Sequence, residues 1–249
     1  MDILQLSHYL DNLLDISSIN DAPNALNGLQ VQNTGNIEKI GLAVDLCQAT
    51  IDLAIEKNCQ MMFVHHGIFW GGLQPLRGSF YEKISSMINA NLGLYSAHIP
   101  LDLHPVFGNN RALADLIGLN NLEPFGEYGG IKIGFKGTIV KKSAEGLAQE
   151  LAEKLGSSVK VIGEGEIETV GLVTGGAADI IQQASREGLD AYITGEGANH
   201  HYHEAIENHC IMIFAGHYAT ETGGVKSVGG HLEQKFGVTT EFLDYPTGL

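Results

Sequence analysis

The chain is poor in cysteine, in positive charge and in long apolar runs, and each shortage narrows what it can be. Three cysteines in 249 residues, Cys47, Cys59 and Cys210, are too few and too scattered for a disulfide framework, and none makes the C-x-x-C spacing of a thiolate zinc site. They read as core thiols of a reducing compartment. Lysine and arginine total 14 against 29 aspartates and glutamates, a formal net charge of −15. That balance argues against duplex nucleic acid and anionic membranes as partners, yet it admits a small anionic substrate whose charge metal ions meet locally. No run approaches the roughly 20 apolar residues that cross a bilayer. The opening MDILQLSHYLDNLLDI has acids where a signal peptide carries a basic segment. Its apolar residues Ile3, Leu6, Leu10 and Leu13 follow a helical period, so the expectation is an amphipathic helix of a cytoplasmic protein. A Walker A loop, a dinucleotide fingerprint and a G-x-S-x-G nucleophile turn are also missing, which weakens the enzyme classes built on them.

What is present alternates. KIGLAVD, ATIDLAIEKN, QMMFVHH, a helix around FYEKISSMINA and LGLYSAH are followed later by ETVGLVT, AADIIQQASREG, DAYITGE, HYHEAIENH, CIMIFAGH, a helical stretch from Thr220 to Phe236 and TTEFLD. Short β-branched and aromatic runs alternating with helical patterns predict an α/β fold with a largely parallel sheet. The segment IGLAVDLCQATIDLAIEKNCQMMFVHHG superposes without a gap on VGLVTGGAADIIQQASREGLDAYITGEG, bringing Gly41 onto Gly171, Leu42 onto Leu172, Ala54 onto Ala184 and Gly67 onto Gly197. Each copy is followed by a strand ending in histidine with a carboxylate four residues on, His98 with Asp102 and His217 with Glu221. A duplicated βαβ unit would account for both facts, while the common period of any two βαβ units would account for the alignment alone. Residues 106–167, with the strands IKIGFKGTIV and the helix AEGLAQELAEKL, read as connection plus added elements, and Pro100 and Pro105 as stiffeners of an LDLH loop.

His65 and His66 stand side by side where a strand should end. Neighbours within a strand point to opposite faces, so the two can share a ligand only at its terminus, where the chain turns at Gly67. With Asp102, His217 and Glu221 at comparable strand ends they make three imidazoles and two carboxylates, a set suited to zinc, iron, manganese, nickel or cobalt and poorly to calcium. Five ligands exceed what one catalytic zinc takes, so two ions roughly 3.5 to 4 Å apart fit better. Glu221 could otherwise complement the first turn of a helix begun by Thr220 or Thr222. His98 is either a sixth ligand or, the better fit, an orienting group outside the ligand shell. Glu196, aligned with His66 and flanked by glycines, is a candidate general base or a holder of a substrate amine. Of His200, His201 and His203, two fit a solvated helix start and His203 is the one to test. NALNGLQVQN reads only as hairpin or loop, and Asn109 and Asn110 as helix caps or polar contacts.

NGLQV at 27–31, VHHGIFW at 64–70, HIPLDLHPVFGNN at 98–110, TGE at 194–196 and GHYATETGG at 216–224 resemble, in this order, the Nif-three-like family, the GTP cyclohydrolase 1 type 2 homologues, in their compact bacterial form. The resemblance implies two pseudo-twofold-related α/β/α lobes with mixed, largely parallel sheets. Residues 1–125 with 210–249 would form the first and 126–209 the second, with a dinuclear metal site in the cleft between them. It implies a toroidal homohexamer, ligation by His65, His66, Asp102, His217 and Glu221, and His98 beside the site. The ending YPTGL departs from the family's common Pro-Asn-Pro and leaves the ligands untouched. The function expected is a metal-dependent hydrolase acting on a nucleotide or related heterocycle, with two divalent ions per subunit and Glu196 or His98 moving the proton. A di-iron or dimanganese oxidase could use the same ligands, and a non-enzymatic metal-binding scaffold or regulator is the third reading.

Overall fold

The computed structural model describes residues 1–248. The chain divides into two compact units, one of Met1–His104 and Val225–Tyr245, the other with Pro105–Gly224 as its body. The first opens with α1 (Ile3–Leu13), β1 (Gly28–Val31), β2 (Lys39–Asp45), α2 (Gln48–Glu56), β3 (Met61–His66), α3 (Ser79–Asn89), β4 (Gly93–Ser96) and α4 (Ile99–Leu103). The second contains α5 (Asn109–Leu116), β5 (Asn120–Tyr128), β6 (Ile131–Ser143), α6 (Ala144–Leu155), β7 (Lys160–Ile162), β8 (Glu166–Leu172), α7 (Ile181–Arg186), β9 (Ala191–Thr194), α8 (His200–Glu207), β10 (Ile211–Phe214) and α9 (His217–Thr220). The chain re-enters the first unit along α10 (Thr222–Phe236) and ends in β11 (Thr239–Phe242).

The local reasons are ordinary ones. Asp2 caps α1 by accepting the Gln5 N–H at 2.9 Å, and Ile3, Leu6 and Leu10, one face at helical spacing, are buried. Ser143 caps α6 in the same way, and Gly156 ends it in the left-handed region. In β3, the five residues Met61–His65 are all buried, as a strand paired on both edges and covered on both faces must be.

The first sheet has the order β1-β4-β3-β2-β11, parallel throughout except for the antiparallel edge strand β1. The second has the order β5-β6-β8-β9-β10-β7, a parallel centre of β8, β9 and β10 with antiparallel strands on both sides. The fold is α/β with two mixed sheets. Each has its own apolar core, including Val64, Met62, Leu94 and Ile51 in the first and Leu147, Leu151, Val170 and Ile193 in the second.

The two parallel centres share one register. Ile40, Gly41 and Leu42 pair with Met61, Met62 and Phe63, and Val170, Gly171 and Leu172 pair with Ala191, Tyr192 and Ile193, the pairing that the internal superposition requires. The superposition slips beyond that point. Val64 pairs with Ser96 and Thr194 with Phe214, so two residues further on His98 corresponds to Gly216, not to His217. His98 is accordingly the residue that precedes α4, whereas His217 is the first residue of α9.

Two local expectations change. NGLQV forms no hairpin, because β1 pairs with β4 far along the chain. The LDLH stretch is largely helical, since Pro100 lies in the first turn of α4, where its missing N–H costs nothing. Among the described residues no helix is long and apolar enough to cross a membrane.

Candidate metal centre

In the first unit the paired histidines converge at a strand terminus. β3 ends at His66 and the chain turns at Gly67, where any Cβ would fall 2.3 Å from Gln30 Oε1. Gln30 fills that space because its Oε1 accepts the Ile68 N–H at 2.8 Å while its Nε2 donates to the carbonyls of Ala25 and Leu26. The rings of His65 and His66 are 4.5 Å apart, and one nitrogen from each of His65, His66 and His98 lies within 4.8 Å of the others.

Each of these rings is held from behind. His65, fully buried, has Nδ1 at 2.9 Å from the Ala97 carbonyl. His66 has Nδ1 at 2.8 Å from Asp45 Oδ1, across paired strand ends. His98 has Nδ1 at 2.9 Å from Asp21 Oδ1. A carbonyl or carboxylate can only accept, so Nδ1 carries the proton in all three and Nε2 is the atom each ring offers. Asp102, 6% exposed, stands on α4 with Oδ2 3.6 Å from His65 Nε2.

Asp21 gathers several donors besides His98. It also accepts from Ile99 N and Asn27 Nδ2, and Asn27 returns a bond from its Oδ1 to the His98 N–H at 2.7 Å. Burial would raise the Asp21 pKa, but the hydrogen bond and charge of His98, with Asn27 and Ile99, outweigh it and hold the carboxyl below its usual value.

The second unit presents a smaller set. His217 Nδ1 is 2.8 Å from Glu196 Oε1, and its Nε2 is 3.2 Å from Oε2 of Glu221, a residue only 3% exposed. Burial opposes a charged imidazole here, but the hydrogen bonds and charges of Glu221 and Glu196 prevail and lift the His217 pKa to about 9. Glu221 lies between the last residue of α9 and the first of α10, so it stands at the junction of two helices, immediately before the helix that Thr222 begins. Three glycines make room for the group. A Cβ on Gly175 would fall 2.1 Å from Glu221 Oε1, one on Gly195 2.6 Å from His217 Cα, and one on Gly176 3.4 Å from Glu196 Oε1.

A separate group joins Asp179, His200 and His201. Its buried member is committed already, since His201 Nδ1 accepts the Ala198 N–H at 2.8 Å and its Nε2 donates to Asp179 Oδ1 at 2.9 Å. His203 is exposed on α8 and is not part of it. Asn109 and Asn110 are buried ties: Asn109 accepts from Gly224 N, and Asn110 accepts from Thr174 N and donates to the Ile133 carbonyl.

Clusters of histidine, aspartate and glutamate that could hold metal ions are therefore built into this chain. A model of one family, Duf34/NIF3 (NGG1p interacting factor 3), matches residues 1–247. The chain belongs to the NIF3 family. It is 44% identical to a GTP cyclohydrolase 1 type 2 homolog of Pyrococcus abyssi, each chain covered in full, and 39% identical to one of Deinococcus radiodurans over 98% of this chain and 94% of that protein. A crystal structure of a Thermus thermophilus protein superposes with a TM-score of 0.92 at 35% identity, covering 100% of both chains.

Within this NIF3 protein, the supporting residues Asp21, Asn27, Gln30 and Asp45 were not singled out from the sequence. Two of them lie in NGLQV, where an asparagine and a glutamine beside a glycine look like turn chemistry. Asp45 had a usable signal, because it ends the strand predicted to lie next to the one that ends in His66.

Proposed function

We propose that His65, His66, Asp102, His217 and Glu221 hold two divalent ions and that the protein is a metal-dependent hydrolase acting on a nucleotide or related heterocycle. The observation that carries this reading is the common orientation of the imidazoles. Four imidazoles direct Nδ1–H to an oxygen acceptor, Ala97, Asp45, Asp21 or Glu196, and so present Nε2 on the opposite side, that of His217 toward Glu221, the arrangement that fixes ring orientation and raises basicity in metal-ligating histidines. Structural histidines do not need that uniformity, as His201 with its opposite tautomer illustrates. Nitrogen and carboxylate donors suit zinc, iron, manganese, nickel or cobalt.

Ions so held supply Lewis acidity and bring the pKa of water toward neutrality. Asp102 and Glu221, both buried, contribute the negative charge that balances them. With an ion bound, His217 would keep Nδ1–H on Glu196 and offer a deprotonated Nε2 as the ligand atom. His98 is the group to hold or deliver a proton at Nε2, with Asp21 fixing its ring. Glu196 orients His217 and has a second oxygen that can take a proton or bind a substrate amine. A homohexameric ring belongs to the same proposal and is supported by the family resemblance alone.

Metal content per chain, after purification without added metal or chelator, tests the reading together with a screen of nucleotide hydrolysis. About two ions per chain and turnover lost in both His65→Ala and Glu221→Ala are expected. Equal background turnover in all three proteins would leave a metal-binding scaffold, and an oxygen-dependent spectrum of bound iron would favour redox chemistry.

A further inference from the structure

Trp70 is the single tryptophan of the chain. Its ring stands edge-on to two imidazoles of the first unit, with centroids 4.7 Å from His98 at 84° and 5.7 Å from His66 at 76°. Its Nε1–H is shielded from solvent and has no hydrogen-bond partner among the described residues. Buried donors in folded proteins nearly always find an acceptor, and the indole N–H is no exception.

The missing partner is not the by-product of a slack loop. The Phe69–Gly72 turn is closed by a 2.8 Å hydrogen bond from Gly72 N to the Phe69 carbonyl. Asn24 Nδ2 donates to the Trp70 carbonyl at 3.3 Å, and Gln30 holds the Ile68 N–H just upstream. Backbone on either side of the indole is tied down, and the ring is wedged against two of the imidazoles that turn Nε2 outward.

We infer that the Trp70 indole N–H is a recognition donor for the ligand of this centre, taking an acceptor oxygen of that ligand while the ring walls the space beside His66 and His98. The inference rests on the metal-centre reading above. Two sources could provide the oxygen, a phosphate group or the carbonyl of a heterocyclic base. The competing arrangement is a weak N–H contact to the face of the His98 ring, which needs no ligand.

The test uses the full chain, whose lone indole gives one ¹H–¹⁵N resonance. Zinc is added first, and its uptake is measured before any other probe. Inorganic phosphate, guanosine and guanosine triphosphate are then titrated separately. The indole peak should move downfield with at least one of them: a response to phosphate assigns the oxygen to a phosphate group, and a response to guanosine assigns it to the base. Trp70→Phe, which keeps an aromatic wall and loses the N–H, should retain its zinc and bind the responding probe roughly 5- to 20-fold more weakly by calorimetry. A resonance indifferent to all three probes, or wild-type affinity in a folded Trp70→Phe protein, overturns the inference. If that variant fails to fold, the wild-type resonance decides alone. Failure to take up zinc overturns the underlying reading instead, and is seen before any oxygen-bearing probe is present.

Discussion

His66 gives its Nδ1–H to Asp45 Oδ1 at 2.8 Å, and the two residues face each other directly at the paired ends of β3 and β2. Asp45→Ala should leave the fold intact, since its side chain is 36% exposed. Removing such a partner behind a metal ligand costs about 10- to 100-fold in metal affinity. Competitive chelation should register that loss while the thermal midpoint of the metal-free protein stays within a few degrees of wild type.

His217 sets a pH dependence. Its folded pKa, about 9, lies above the ordinary 6.5, so its contribution to stability is complete below about 6.5 and fades as pH rises through 9. Metal-free protein should therefore lose stability between about pH 7 and 9.5, and His217→Gln should flatten that slope in thermal scans. Metal binding through Nε2, as proposed, would displace its proton, so calorimetry at about pH 7.5 in buffers of different ionisation enthalpy should detect proton release.

Gly175 adopts φ +70°, and a Cβ there would lie 2.1 Å from Glu221 Oε1. Gly175→Ala should cost about 1 kcal/mol or more through the backbone alone. It should also push Glu221 aside. Denaturant titration and metal analysis should both report the change, whereas Gly188→Ala, at the same φ with nothing within 4 Å, should show only the first.

Asp21 gives the opposite pH sign to His217. Its folded pKa is depressed, so the stability it adds is present above its ordinary 3.8 and is lost as pH falls through the lower folded value. Asp21→Asn keeps the shape but loses the charge and turns a donor toward Ile99 N or His98 Nδ1, which should cost about 1.5 to 3 kcal/mol near neutrality. Urea midpoints of the two proteins should draw together as the pH is taken toward about 2.

Sequence patterns carried the α/β alternation, the strand ending at His66 and the helix over Ala144–Leu155, because each is a local periodicity with local punctuation. They also carried the duplicated register, since Gly41 and Gly171 occupy equivalent points of equivalent pairs. Partners chosen by long-range pairing were not legible. β1 is short and sits at an edge, so nothing in its own residues names β4 as its neighbour. Asp21 and Asn27 likewise act on His98 from more than 70 residues away. The one-residue slip between His98 and His217 escaped notice because a histidine followed four places later by a carboxylate looks the same whether it precedes a helix or begins it.

The shared register sets unlike side chains at equivalent strand tips. A ring stands at 66 beside the carboxylate of Asp45, whereas at the matching points of the second unit a carboxylate stands at 196 beside a glycine at 175. That glycine cannot be exchanged for the aspartate its counterpart carries, because any Cβ at 175 would fall 2.1 Å from Glu221 Oε1. One backbone pattern thus frames two different arrangements of side chains, and transplanting a residue from one tip to its equivalent would wreck the recipient.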